Sequence, residues 1–509
     1  MEIKQTENEY ERELELDKLS NLPSDVTEKI LSYLPTREAV RTSFLSRNWR
    51  HKWVTVPRLM FDDKTANRNS FQIQRVIDHV LLLHKGPVDS FKLSTVIYLT
   101  NNEFDRWIWY LSRFAIKEFI LERRYPSDNY NVSSHLYSYK DLTHLELSNC
   151  SLNPPLTFKG FATLKNLNIQ NVSVAKDVLE KIIVGCPLLE RMILCDLESV
   201  DILNVDAPNL QFLKVVGVFK EVKLQNVPNL VHVSIGQKRI DYKEVSRRNS
   251  SKLLQYFLSL PRIERLTIEG CLLECVVNSF SLHTELPEPY PCLNFLSISM
   301  RLNSLDDILV AMYLLRSSPA IQVLEIEVRQ ESNAEEQATN WLNNNRLWEF
   351  TQLRRLKVTG FSGVTGEVDF LDYLFSRFPA LQEIEISFRD YTNMGKGLDA
   401  AAGGDYSNRN WSLNQLRIMK VTNVRYEASF IRFLLSSSPM LNTMTLQPVS
   451  AGISWELLEL LVKEFKRYSH AELKLLKPLS SESYNNDFYS DDVRCMCTSV
   501  PAVASGWDI

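Results

Sequence analysis

The sequence predicts an α/β solenoid. A small N-terminal three-helix block comes first. An irregular arc follows, with parallel strands on its concave side and helices on its convex side. Three observations carry this expectation. A short apolar pattern recurs along most of the chain, a proline precedes many of its copies at a fixed distance, and the composition is poor in glycine and rich in leucine. Glycine takes 15 of 509 positions and leucine about one in seven. A structure built from leucine anchors needs few flexible residues, and the same numbers exclude collagen-like and low-complexity chains.

The repeated unit is apolar-x-x-apolar-x-apolar. Leu142/Leu145/Leu147, Leu164/Leu167/Ile169, Leu189/Met192/Leu194 and Leu210/Leu213/Val215 are clear copies. Others follow at Leu230, Ile263, Leu293, Ile321, Leu353, Leu381, Leu416 and Leu441, and looser ones at Val88 and Ile116. Alternate residues of a strand point to opposite faces, so the last two anchors of each copy share one side. One unit cannot bury its anchors alone, and stacking makes a continuous core. Pro187, Pro208, Pro228, Pro261, Pro291, Pro319, Pro379 and Pro439 each stand two residues before a first anchor. Several close a helical run such as DVLEKIIVGCP or DFLDYLFSRFP, where proline ends the helix and directs the chain into extended backbone.

Ahead of the array, residues 1–16 are polar and acidic and read as a disordered tail. In the block that follows, Ser24 is placed to cap a helix carrying Val26, Ile30, Leu31 and Leu34, and Pro35 stops it. Thr36 is placed to cap a second helix. A third carries Trp49 and Trp53, four apart on one face. Residues 329–346 read as a polar loop with some helix. Residues 390–410, with four of the glycines, read as a flexible insertion, and residues 480–509 as a disordered tail.

The residues LSNLPSDVTEKILSYLPTREAVRTSFLSRNWRHKW resemble the F-box, with Leu22, Pro23, Ile30, Leu31, Leu34, Pro35, Val40, Leu45, Trp49 and Trp53 in step with that motif. Together with the repeats, they resemble the plant group whose body is a degenerate leucine-rich repeat ending in an FBD region. The FBD-like stretch is residues 352–387, and a similar unit recurs at 415–446. The resulting division is F-box 17–63, leucine-rich solenoid 70–351 and FBD-like repeats 352–475. The resemblance implies that the ten F-box residues dock on the Skp adaptor of a Skp–cullin–F-box ubiquitin ligase. It also implies that the repeats hold a protein target, and that the ubiquitin chemistry belongs to other subunits.

Residue chemistry leads to the same docking half. The block offers more apolar surface than about forty residues can hide. Arg37, Arg41, Arg47, Arg50, Lys52 and Arg58 against Glu38 would steer an acidic partner. A contact of this apolar surface with the first repeats is the alternative. For target capture the candidates are the outward strand positions Arg191, Ile193, Phe212, Lys214, Val216, Phe295, Arg355 and Lys357. The alternative there is that the apolar ones lie beneath the next loop. No catalytic motif is visible, the eight histidines fall in no ligand spacing, and Cys495-x-Cys497 lacks a second pair for zinc. The expectation is a non-catalytic chain without metal or cofactor. No run reaches the ~18 apolar residues of a membrane span. A net charge of −4 speaks against a nucleic-acid coat, although Trp49 and Trp53 among basic residues keep a nucleic-acid module as a weaker reading. Dispersed cysteines and a charged start point to the nucleus or cytoplasm.

Overall fold

The computed structural model describes residues 22–63, 70–124, 130–197, 200, 202–219, 221–237, 262–273, 290–329, 336–344, 349–389, 411, 413–424, 428–448 and 471–476. The two expected tails and the 390–410 insertion lie outside them. The chain divides into two compact units, Met1–Leu230 and Val231–Ile509.

The first described elements of the first unit are two short helices, α1 (Ser24–Ser32) and α2 (Thr36–Arg41). A prefolded cap is supplied by Pro23 and Pro35, which precede them, rather than by the hydroxyls of Ser24 and Thr36. The Thr36 hydroxyl instead accepts the Met60 backbone N–H at 2.6 Å. The third helix does not form. Thr42–Phe44 and Lys52–Thr55 are 3₁₀ turns, joined by further turns that bring Trp49 and Trp53 inward. β-Branched Val54, Thr55 and Val56 ahead of Pro57 leave little room for a regular helix.

A parallel sheet follows directly. Its strands are β1 (Arg58–Asp62), β2 (Ser90–Thr95), β3 (Glu118–Arg123), β4 (Tyr130–Asn131), β5 (His144–Leu152), β6 (Asn166–Val174), β7 (Arg191–Cys195) and, after a strand outside this sheet, β9 (Phe212–Gly217). The order is β1–β2–β3–β5–β6–β7–β9, with β4 continuing the line of β3 beside β5. Helices α3 (Ser70–Leu83), α4 (Asn101–Leu111) and α5 (Lys176–Val184) fill three of the connections. The register aligns the anchors in two inward rows. Leu59, Phe91, Phe119, Leu145, Leu167, Met192 and Leu213 form one, and Phe61, Leu93, Leu121, Leu147, Ile169, Leu194 and Val215 the other. All are buried. Each such side chain contributes roughly 1.5–3 kcal/mol by leaving water.

Two short copies depart from the strand-helix plan. First anchors at 189, 210 and 230 leave too little chain for a helix, and strands β8 (Ile202–Asp206) and β10 (Glu221–Gln225) take its place as a separate parallel pair. Leu203, Val205 and Val222 bury against the repeats there.

The second unit repeats the device with, among the described residues, nine parallel strands in chain order: β11 (His232–Gln237), β12 (Arg265–Gly270), β13 (Phe295–Met300), β14 (Val323–Val328), β15 (Arg355–Phe361), β16 (Glu383–Phe388), β17 (Ile418–Val424), β18 (Thr443–Pro448) and β19 (Glu472–Leu475). Its helices are α6 (Leu305–Arg316), α7 (Glu336–Asn344), α8 (Thr365–Phe375) and α9 (Ala428–Ser436). The two FBD-like stretches have the same build, β15–α8–β16 and β17–α9–β18. Strand β19 extends the array past the last copy recognised in the sequence.

A feature absent from the sequence pattern ends or kinks many strands. Asn149, Asn171, Asp196, Gly217, Gly270, Gly360 and Asn423 all have positive φ, and each stands two residues after a last anchor. That backbone closes β7, β9 and β12 and makes an irregularity within β5, β6, β15 and β17, and glycine, asparagine and aspartate adopt it at least cost.

Candidate protein-docking surfaces

The N-terminal block has a core of its own. Leu31, Ala39, Trp49, Trp53 and Val56 are buried. The Lys52 ammonium lies 5.3 Å from the centre of the Trp49 ring and donates to the Thr27 hydroxyl at 3.2 Å, tying the 3₁₀ turn to α1. The block is also pinned to the sheet. Besides the Thr36–Met60 bond, the Lys85 and Gly86 N–H groups donate to the Val54 carbonyl at 2.9 and 3.3 Å. A Cβ on Gly86 would stand 2.7 Å from the Thr55 carbonyl oxygen, so the close approach requires glycine.

With this core satisfied, a set of large apolar side chains still faces water. Val26 and Ile30 on α1 and Tyr33 at its C-terminal cap follow one another at helical spacing, and Phe44 and Leu45 lie at the end of the first 3₁₀ turn, Phe44 at 89% exposure. The ten residues expected to touch an adaptor therefore separate into groups. Pro23, Ile30, Pro35 and Leu45 are exposed, and Leu22, Leu34 and Val40 half-buried. Leu31, Trp49 and Trp53 are a correction. They are buried inside the block, where they pack its core rather than present a surface. Sequence reasoning missed Tyr33 and Phe44 because neither falls in step with the motif. The signal was their position, beyond the buried Thr27/Leu31 side of α1 and next to Leu45. Arg41, Arg47, Arg50 and Arg58 are exposed as well, with Arg41 paired to Glu38 at 3.2 Å.

The outward strand faces are the second candidate. In the first unit Ile193, Phe212, Lys214 and Val216 are buried, as is Phe295 in the second. These five are thus not the exposed side chains that the capture reading required. Arg191 is half-buried, with its guanidinium 3.5 Å from the centre of the Phe212 ring. Arg355 is exposed and paired with Glu383 at 2.5 Å, and Lys357 is half-buried. Outward charges alternate along this stretch. Glu325, Lys357, Glu385 and Lys420 stand opposite one another in register, and Lys420 reaches Glu385 at 2.8 Å. Opposite charges directly across strands stabilise a sheet modestly.

The remaining chemistry is structural. Burial pushes the Cys150 thiol up to about 12 and the Cys186 thiol up to about 11, and Cys271 is buried too, so these behave as small apolar groups. Cys275, Cys495 and Cys497 lie outside the described residues. Among the described residues no group of three or more His, Cys, Asp or Glu could hold a metal ion, and no helix is long and apolar enough to cross a membrane.

Comparison with known proteins places this architecture. The F-box domain family matches residues 19–60, and the family described as "At1g61320/AtMIF1, LRR domain" matches residues 80–396. The F-box/FBD/LRR-repeat protein At1g13570 of Arabidopsis thaliana is 32% identical over 383 residues, 73% of this chain and 91% of the relative. The chain belongs to the plant F-box/FBD/leucine-rich-repeat family. Two further relatives from the same plant are 27% identical. They are the F-box/LRR-repeat protein At5g02910, covering 65% of this chain and 77% of the relative, and the FBD-associated F-box protein At4g10400, covering 50% and 64%. The block with the exposed apolar helix is thus the F-box, and the strand arrays are its leucine-rich repeats.

Proposed function

We propose that this F-box protein is the substrate-recognition subunit of a Skp–cullin–F-box ubiquitin ligase. The F-box docks on a Skp-type adaptor, and the repeats hold a protein target. The observation that carries the reading is the exposed apolar set Val26, Ile30, Tyr33, Phe44 and Leu45 on a block whose core is already filled by Leu31, Trp49 and Trp53. Side chains of this size stay in water at a cost, and on a small domain a group of them marks a partner surface. The surrounding arginines would raise the on-rate of an acidic adaptor more than its final affinity. The chain contributes proximity. A target held on the repeats is kept at high local concentration beside a ubiquitin-loaded enzyme on the other subunits. Such work belongs to the nucleus or the cytoplasm, where ubiquitin ligases meet their targets.

Co-purification tests the reading. Wild type should bring down a Skp-type adaptor and a cullin, and a variant with Val26→Asp and Ile30→Asp should lose both while melting at the wild-type temperature. Equal recovery of adaptor by the two proteins would refute docking through α1. Recovery of adaptor without cullin would instead place the chain in an interaction complex outside a ligase.

A further inference from the structure

Several outward-facing cations on these sheets are neutralised by carboxylates of the protein itself. Lys92 meets Glu122 at 3.1 Å, Arg355 meets Glu383 at 2.5 Å and Lys420 meets Glu385 at 2.8 Å. Arg191 on β7 and Arg265 on β12 instead share a contact with an aromatic ring. Each stands at the first outward position of its strand, in register with a phenylalanine on the next strand, Phe212 and Phe295. Each guanidinium carbon lies over that ring, at 3.5 and 3.7 Å from its centre. Neither makes a hydrogen bond or ion pair with a described residue. Glu325, on β14, favours the charge of Arg265 through space without bonding to it, and loss of water lowers the pKa of both arginines from the ordinary value.

A guanidinium carries five N–H donors, and stacking satisfies none of them. Arg191 is half-buried and Arg265 exposed, so each guanidinium loses only part of its water, to a ring that offers no acceptor in exchange. What stacking provides is orientation. The ring fixes the guanidinium plane and leaves its edge donors free for a planar bidentate acceptor, while the covered ring and its apolar neighbours Ile193 and Val216 supply an apolar floor beside Arg191.

We infer that the Arg191–Phe212 pair in the first unit and the Arg265–Phe295 pair in the second are each a carboxylate subsite, and that a protein segment captured at either is acidic, with Asp or Glu side chains beside apolar ones. This rests on the reading that the repeats hold a protein target. A nucleic-acid backbone fits less well. Glu118, Glu122 and Glu146 share the strands of the first unit's array, and Glu325, Glu383 and Glu385 those of the second, and they would repel a continuous polyanion.

The test uses the full chain bound to its adaptor. The probe is a short fluorescein-labelled peptide of repeated Glu-Leu-Ser, compared with its Gln-Leu-Ser isostere. The Glu peptide should bind about tenfold or more tightly than the Gln peptide, and weaken as salt rises. Arg191→Gln with Arg265→Gln should erase that preference at an unchanged melting temperature. Arg191→Lys with Arg265→Lys should keep only part of it, because charge survives and the bidentate fork does not. Equal binding of the two peptides, no binding of either, an Arg→Gln variant that still discriminates, or displacement of the Glu peptide by a single-stranded oligonucleotide at lower concentration would each overturn the inference. Adaptor co-purification by the same variants separates the two levels. If wild type holds adaptor and cullin but shows no preference for the Glu peptide, the subsites are wrong and the receptor reading stands. If wild type holds no adaptor, the receptor reading itself fails.

Discussion

Phe44 and Trp49 lie five residues apart in the F-box and should behave in opposite ways when truncated. Phe44 is 89% exposed and Trp49 only 3%. Burying a phenylalanine side chain is worth roughly 1.5–3 kcal/mol, nearly all of it still unspent in the free protein for Phe44. If Phe44 enters an adaptor pocket, Phe44→Ala should cost up to about 2 kcal/mol of docking energy, a loss of about thirtyfold in affinity. Its cost to folding should stay within about 0.5 kcal/mol, the usual range for exposed positions. Trp49→Ala removes a core side chain that also carries the Lys52 contact, and should destabilise by about 3–5 kcal/mol. Calorimetric titration of purified adaptor, beside urea denaturation of each variant, reads both quantities. The reasoning is refuted if Phe44→Ala binds adaptor as wild type does, or if its unfolding midpoint falls as far as that of Trp49→Ala.

Three further outcomes follow from the repeats. Asn149 has φ 56° and donates from its side-chain amide to the Arg123 carbonyl, so Asn149→Ala should cost about 2–3 kcal/mol and Asn149→Gly only the ~1 kcal/mol of the hydrogen bond. Equal losses in urea melts would show that the left-handed backbone is unimportant there. Burial raises the Glu367 carboxyl above its ordinary value, although the Ser362 and Gly363 N–H groups donate to it at 2.7 and 3.1 Å. A raised carboxyl contributes stability that is present below the unfolded value of 4.5 and lost as pH rises through the folded one. Glu367→Gln keeps the acceptor and removes the charge, so its stability relative to wild type should rise from pH 4.5 to pH 7, and a pH-independent difference would contradict the assignment. Cys292 is exposed whereas Cys150 and Cys186 are buried with raised thiols, so brief alkylation of the native protein should label the Cys292 peptide far ahead of theirs.

Much of this fold can be read from the anchors, because a buried row must be apolar in every copy. All the first anchors from Val88 to Leu441 are buried, and their strands pair in the register that the spacing implies. What escapes the pattern has identifiable causes. Strands β8 and β10 occupy spans where a helix does not fit, and apolar alternation over five residues looks the same whichever layer receives it. The left-handed asparagines are polar, and an apolar template passes over them. Trp49 and Trp53 sit at helical spacing without a helix, because spacing records sequence separation and not hydrogen bonding. Burial at Ile193, Phe212 and Val216 depends on neighbours distant in sequence, so alternation shows which face they occupy and not whether water reaches it.

The link between the F-box and its first strands bears on how proximity would work. Lys85 and Gly86 converge on the Val54 carbonyl, and Thr36 holds Met60 at the middle of β1. An adaptor bound at Phe44 and Ile30 would therefore be fixed relative to the β1–β9 sheet rather than tethered to it. A flexible tether spreads a captured target over a large volume, and effective concentration falls with that volume. A fixed arm confines the target to a small one. A rigid arm also restricts which parts of a target can reach the transferring enzyme. In such a receptor the reach of the chemistry is set as much by Gly86, Thr36 and Val54, which touch neither partner, as by the side chains that would.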